Sequence, residues 1–187
     1  MLKIENLIKF FGNECVIDGF SMKCPDKGVV AVMGTSGIGK TTLLNIIAGL
    51  EKPTSGKITS TFKKISYKFQ EPRLLKWLTA GENIEMVMSR PEKSSKYIKM
   101  VKLSKDSDKY PDELSGGMQQ RIALARALAY QGDLLLLDEP FSAVDEKTKK
   151  ILIDVISDYS KHHAVILVTH DIAEAENLNA EIITLKK

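Results

Sequence analysis

Residues 29–41 read Val29-Val30-Ala31-Val32-Met33-Gly34-Thr35-Ser36-Gly37-Ile38-Gly39-Lys40-Thr41. Val29 to Met33 is apolar at every position, as expected of a strand covered on both faces. It runs straight into Gly34-x-x-x-x-Gly39-Lys40-Thr41. Thr41 to Leu50 then places Leu43, Leu44, Ile46 and Ile47 on one helical face, and Gly49 and Pro53 close the helix. Strand, glycine loop and helix in this order make a phosphate cradle. The glycines let the backbone curl so that its N–H groups point at phosphate oxygens, and the helix adds its positive N-terminal end. Gly34, Thr35, Ser36, Gly37, Ile38, Gly39, Lys40, Thr41 and Thr42 are the expected nucleotide-binding residues. Lys40 brings a full charge toward the β- and γ-phosphates, and Thr41 a hydroxyl for Mg²⁺.

Outward from this loop, Leu134 to Leu137 and Val165 to Thr169 repeat the buried-strand pattern. Leu2 to Leu7 alternates apolar and polar and reads as an edge-type strand. Phe20 to Cys24 reads as another, ended by the turn Pro25-Asp26-Lys27-Gly28. Lys57 to Tyr67 carries the β-branched and aromatic residues of strands, and Glu181 to Leu185 reads as a last one. Asn83 to Met88, Tyr97 to Leu103, Met118 to Tyr130, Lys147 to Tyr159 and Ile172 to Asn177 read as helices. Alternating strands and helices predict an α/β fold with a largely parallel sheet. Residues 74–131, where helices dominate, read as an insertion into it.

Two further stretches carry chemistry. Leu134-Leu135-Leu136-Leu137-Asp138-Glu139 is a buried strand ending in two acids, and ligands of open α/β sheets sit at such carboxyl ends. Asp138 is expected beside the cradle, holding Mg²⁺ through water. Glu139 is expected at the γ-phosphate, polarising an attacking water. Leu114-Ser115-Gly116-Gly117-Met118-Gln119-Gln120-Arg121 opens a helix, with Ser115 suited to its N-cap. Its glycine pair exposes a second set of N–H groups. The chain already has one cradle, so the simplest expectation is that this one faces the nucleotide of another copy.

Composition narrows the classes. A chain of 187 residues, 43% hydrophobic and 27% charged, is one globular domain rather than a disordered, collagenous or coiled-coil chain. Its apolar runs fall short of the roughly 20 residues of a membrane helix. Met1 to Phe10 shows no signal-peptide core. A net charge of +3 is too weak to suggest nucleic acid. Cys15 and Cys24 are expected as reduced thiols. No Cys/His cluster has zinc spacing, and the adjacent His162 and His163 diverge in any regular element.

With the cradle before it and Asp138-Glu139-Pro140 after it, Leu114 to Gln120 resembles the ATP-binding-cassette ATPases over essentially the whole chain. The resemblance implies a P-loop NTPase (RecA-like) core of about residues 1–73 and 132–187. With it come an N-terminal antiparallel β subdomain and an inserted helical subdomain of about 74–131. It implies that Gln70 contacts Mg²⁺ and the attacking water, and that His170 contacts the γ-phosphate as partner of Glu139. Phe11 would stack on adenine, with Phe10 its competitor. Ser115, Gly116, Gly117 and Gln119 would touch ATP across a dimer. Ser142-Ala143-Val144-Asp145 would cross that interface, although Asp145 alone also reads as a helix cap.

Gln70 to Thr79 looks like the corresponding loop of nitrate-, sulfonate- and taurine-type importer ATPases, with Lys76 where many carry Pro. The implied partners are a second cassette (a homodimer or paired subunit), transmembrane permease subunits and a solute-binding protein, with no nucleic acid. The implied place is the cytoplasmic face of a prokaryotic membrane. An exporter ATPase is one alternative. A soluble cassette in repair, translation or cluster assembly is another, and a small nucleotide kinase would leave the second glycine loop unexplained. Lys93, Lys96, Lys99, Lys102 and Lys105 read as a solvated helix surface over Tyr97, Ile98 and Val101, with lipid headgroup contact the sharper alternative. The family commonly continues with further helices after the strand at Glu181 to Leu185, which implies a motor near its catalytic minimum.

Overall fold

The computed structural model describes residues 1–89 and 94–186. Lys93 of the lysine row lies outside them. In chain order the strands are β1 (Leu2–Phe11), β2 (Glu14–Cys24), β3 (Gly28–Met33), β4 (Ser55–Ser60), β5 (Ile65–Lys68), β6 (Leu134–Asp138), β7 (Ala164–Thr169) and β8 (Glu181–Thr184). The helices are α1 (Lys40–Ile47), α2 (Ala80–Glu85), α3 (Ser94–Met100), α4 (Gly116–Ala129), α5 (Glu146–Ser160) and α6 (Ile172–Asn177). Five strands form a parallel sheet in the order β5-β6-β7-β3-β8, and three form an antiparallel sheet in the order β2-β1-β4.

β1 is therefore not an edge strand. Ile4 stands opposite Met22 on one side and Ile58 on the other. The alternation in Leu2 to Leu7 reports one buried face and one wetter face, a pattern a central antiparallel strand shows as readily as an edge. Leu2, Ile4 and Leu7 form the buried face.

The parallel strands divide their side chains between two cores by the period of two that strands impose. Ala31, Leu135, Leu137, Val165 and Leu167 face a cluster that includes Ile84, Ile98, Leu124, Leu128 and Ile156 of the helices. Val30, Val32, Leu134, Leu136, Ile166 and Val168 face Leu43, Leu44 and Ile47 of α1, together with Ile4, Leu7 and Ile17 of the antiparallel sheet. Because β3, β6 and β7 lie side by side in parallel, their carboxyl ends bring Gly34, Asp138 and His170 to one edge of the sheet.

Between β5 and β6 the regular elements among the described residues are helices, including α2, α3 and α4. Thr79 and Glu82 cap α2 reciprocally. Asn83 is fully buried, with its side chain bonded to the backbone of Leu75, Leu78 and Thr79. Lys96, Lys99, Lys102 and Lys105 are exposed while Tyr97, Ile98 and Val101 are buried, although α3 ends at Met100. Among the described residues no helix is long and apolar enough to cross a membrane.

Candidate functional site

The loop from Gly34 to Gly39 turns the end of β3 into the start of α1. Gly39 sits at φ 108°, and a Cβ there would lie 2.8 Å from Val16 Cγ1 and 2.9 Å from the Val16 carbonyl oxygen. Only glycine lets the loop lie this close to β2. Lys40 folds over the loop, its Nζ donating to the carbonyls of Gly34 (2.8 Å) and Thr35 (3.0 Å). These bonds hold the ammonium over the cradle.

Across a cleft of about 210 Å³ stand Gln70, Asp138 and Glu139, facing Ser36, Gly37, Gly39, Lys40 and Thr41. Thr41 Oγ1 donates to Asp138 Oδ2 at 2.8 Å. Asp138 is 1% exposed, and its other oxygen, Oδ1, is buried without a partner. Desolvation is the largest cause raising its pKa, against the Thr41 bond and the charges of Lys68 and Lys40. A buried orphan oxygen beside a threonine hydroxyl and a glutamine is a hard-oxygen set that suits Mg²⁺. That ion takes few protein ligands and leaves its other positions to phosphate and water. Among the described residues there is no group of three or more His, Cys, Asp or Glu placed to cage a metal.

Glu139 lies just past β6 at φ 44°, with its N–H donating to the Val168 carbonyl at 3.0 Å. Its carboxylate meets His170 Nδ1 at 3.0 and 3.1 Å. The hydrogen bond and charge of Glu139 raise the pKa of His170. The turn that carries His170 is itself braced. Thr169 Oγ1 donates to Glu174 Oε2 at 2.5 Å and accepts from Asp171 N at 3.1 Å, and Lys149 ties Glu174 to α5 at 3.3 Å.

Phe11 does not line this cleft. It sits beside the β1–β2 turn, 47% exposed, with Lys9 Nζ 4.4 Å over its ring. Lys9 is held by Glu51 (2.7 Å) and the Lys52 carbonyl (2.9 Å). Phe10 is similarly open at 41%.

The second glycine loop lies in a separate cleft with Ala143, Val144 and Asp145. Ser115 caps α4, its Oγ accepting from Met118 N at 3.3 Å. A Cβ on Gly117 would lie 2.6 Å from the Ala143 carbonyl oxygen, so this glycine is what lets α4 meet the loop before α5. The Gln119 amide donates to the Pro111 and Leu114 carbonyls of its own chain. Asp145 caps α5, accepting from Thr148 N at 3.0 Å, and those bonds to Thr148 lower its pKa. One chain thus keeps Ser115, Gly116, Gly117 and Asp145 apart from Lys40 and Glu139.

Sequence reading passes over three groups that the structure brings to these sites. Lys68, at the end of β5, buries its ammonium beneath the acid pair, and burial lowers its pKa to about 8. Gln120 donates to the Gln70 carbonyl at 2.8 Å. Arg126 donates to the carbonyls of Pro72 and Arg73. Only the bare presence of a charge in a strand pattern hinted at the first.

The family model described as ABC transporter matches residues 17–142. The chain belongs to the ABC transporter family. This ABC ATPase is 37% identical over 205 residues to a probable sulfate/thiosulfate import ATP-binding protein, CysA, of Chlorella vulgaris, covering 98% of this chain and 86% of the relative. It is 40% identical over 189 residues to the aliphatic sulfonates import ATP-binding protein SsuB 1 of Pseudomonas syringae, covering 98% and 79%. Its fold matches a dimeric ATP-binding cassette solved in a post-hydrolysis state with ADP and Pi. The TM-score is 0.89 at 33% identity, over 100% of this chain and 94% of that one. The P-loop NTPase fold and the ATP-hydrolysing subunit read from the motifs are those of this ABC ATPase.

Proposed function

We propose that this chain energises uptake of a small sulfur-containing oxyanion, sulfate or an aliphatic sulfonate, through separate permease subunits served by a solute-binding protein. Similarity to the sulfate/thiosulfate and aliphatic sulfonates import ATP-binding proteins supports this choice of solute class. The chain works at the cytoplasmic face of the membrane as a single domain, with a nucleotide core of about 1–73 and 132–187 and a helical part of about 74–131. Gln70 and the exposed Trp77, 72% open, form the surface toward the permease.

The observation that carries the hydrolytic reading is the Glu139–His170 contact at the mouth of the Lys40 cleft. Lys40 and the loop N–H groups bind the phosphates. Thr41 and Gln70, with Asp138 through water, would hold Mg²⁺, which when bound neutralises charge on the phosphate oxygens. Glu139 orients the attacking water and takes its proton, and His170 orients Glu139. Phe11 stacks on the adenine with its ring backed by Lys9. Ser115, Gly116, Gly117, Gln119 and Asp145 of a second copy complete each site, so charge stabilisation is assembled only when two chains close.

The test is copurification with its membrane subunits, followed by ATPase assays with solute-binding protein loaded with sulfate or an aliphatic sulfonate. Stimulation by one of them is expected. No stimulation by either overturns the solute class, and association with ribosomes or DNA in place of a membrane subunit overturns the transport reading.

A further inference from the structure

Lys68 ends β5 opposite Leu137 of β6, in a sheet whose neighbouring strand is Leu134-Leu135-Leu136-Leu137. An apolar side chain would suit that position. The residue there is instead a lysine 1% exposed, and its Nζ bonds two consecutive main-chain carbonyls, Asp138 O at 3.2 Å and Glu139 O at 3.3 Å. A buried ammonium is costly unless its donors are used, and here they go to the backbone of the acid pair.

Those two carbonyls belong to the two peptide planes that flank Glu139. The Asp138–Glu139 plane is gripped at both ends, by Lys68 at its carbonyl and by the Val168 carbonyl at its N–H. The Glu139–Pro140 plane has no N–H, because the next residue is proline. Its carbonyl is its only handle, and it receives Lys68 Nζ, Ser142 Oγ (3.1 Å) and Ser142 N (3.3 Å). Between the planes Glu139 sits at φ 44°, a left-handed conformation uncommon for a non-glycine residue. Such a conformation persists only where the surroundings hold it.

The geometry points to Lys68 as a positioning residue for hydrolysis: by clamping both peptide planes around Glu139 it fixes the direction in which that carboxylate leaves the backbone. The inference rests on Glu139 being the group that orients the attacking water. Lys68 touches no substrate, because its ammonium lies on the carbonyl side of the turn while the carboxylate faces the cleft.

The test compares Lys68→Met, Lys68→Val and Lys68→Arg with wild type and Glu139→Gln, all as the full chain, reading kcat, KM, equilibrium ATP binding and Tm. A displacement of about 1 Å at a catalytic group costs on the order of 100-fold. The expected result is therefore a kcat about 10- to 100-fold lower in Lys68→Met and Lys68→Val, with ATP binding kept and Tm unchanged or raised. Lys68→Arg, which keeps N–H donors, recovers part of kcat. Wild-type kcat in a folded Lys68→Met or Lys68→Val protein overturns the inference. So does loss of ATP binding and Tm together with kcat, or failure of both variants to fold, since either makes Lys68 a residue of the fold alone. If Glu139→Gln turns over normally, the reading of Glu139 fails instead. If Glu139→Gln is inactive while Lys68→Met is normal, only the clamp fails.

Discussion

The Nε2 of Gln120 donates to the main-chain carbonyl of Gln70 at 2.8 Å. Gln120 belongs to α4, which Ser115 caps, and Gln70 to the loop that borders the cleft of Lys40. Arg126, further along the same helix, forks onto Pro72 O (2.8 Å) and Arg73 O (2.9 Å). Helix and loop are latched at three carbonyls. Bonds from a charged donor contribute about 1.5–3 kcal/mol each. Arg126→Met loses two such bonds and is expected to lower unfolding free energy by about 3 kcal/mol, the lower end for the pair because one of them is exposed, read by urea denaturation. Arg126→Lys should recover only part of it, because one ammonium cannot span the fork.

Glu139→Gln should leave ATP binding intact and lower turnover by about 100- to 10,000-fold, the range of a lost general base. The ATP-bound protein should then persist as a dimer in light scattering. Wild-type turnover in this variant would remove Glu139 from the mechanism.

The same contact sets a pH signature. Glu139 raises the pKa of His170 above its usual 6.5. The stability this pair contributes is fully present below the unfolded value and is lost as pH rises through the folded one. An NMR titration of the His170 ring should show a midpoint above 6.5, falling back in Glu139→Gln.

Neither Lys40→Met nor Ser115→Arg should hydrolyse ATP at a useful rate alone, the first for want of phosphate binding and the second for a blocked helix N-terminus. Mixed, they should regain activity, because one pairing unites an intact Lys40 cleft with an intact Ser115. No recovery, with mixed dimers shown to form, would mean that each site is complete within one chain. Ser115→Ala, which removes the N-cap without blocking the helix N-terminus, should cost about 1 kcal/mol of stability.

The two thiols should differ sharply. Cys24 is fully buried and its pKa is pushed up to about 12 by desolvation, whereas Cys15 is partly exposed. At pH 8 an alkylating reagent should label Cys15 first, and Cys24 only on unfolding, as mass spectrometry of peptides would show.

Local pattern was enough wherever a residue's neighbours in sequence determine its role. The uninterrupted apolar runs of β3, β6 and β7 read as two-sided burial, and the glycine loop, the acid pair and Ser115 fall where their patterns place them. Partners distant in sequence were legible only where a motif named both of them. β1 alternates as an edge strand would, and only its pairing with β4, more than 40 residues on, makes it central. In β5 the periodicity misleads outright. Ser66 and Lys68 are buried while Ile65 and Tyr67 are half-covered, because Ser66 accepts the Gly132 N–H and Lys68 donates to the carbonyls of Asp138 and Glu139 in the turn after β6. The place of Phe11 before Gly12 carried an expectation for it, but gave no sign of the Lys9 ammonium on its ring.

The two clefts of one chain have a kinetic consequence. If Lys40 must meet the Ser115 of another copy, the ATPase rate of dilute chains rises with the square of their concentration. Specific activity is then a property of how the copies are gathered, not of the chain itself. A permease that seats two copies side by side would raise their local concentration as well as receive their work. Chains left unassembled would consume little ATP.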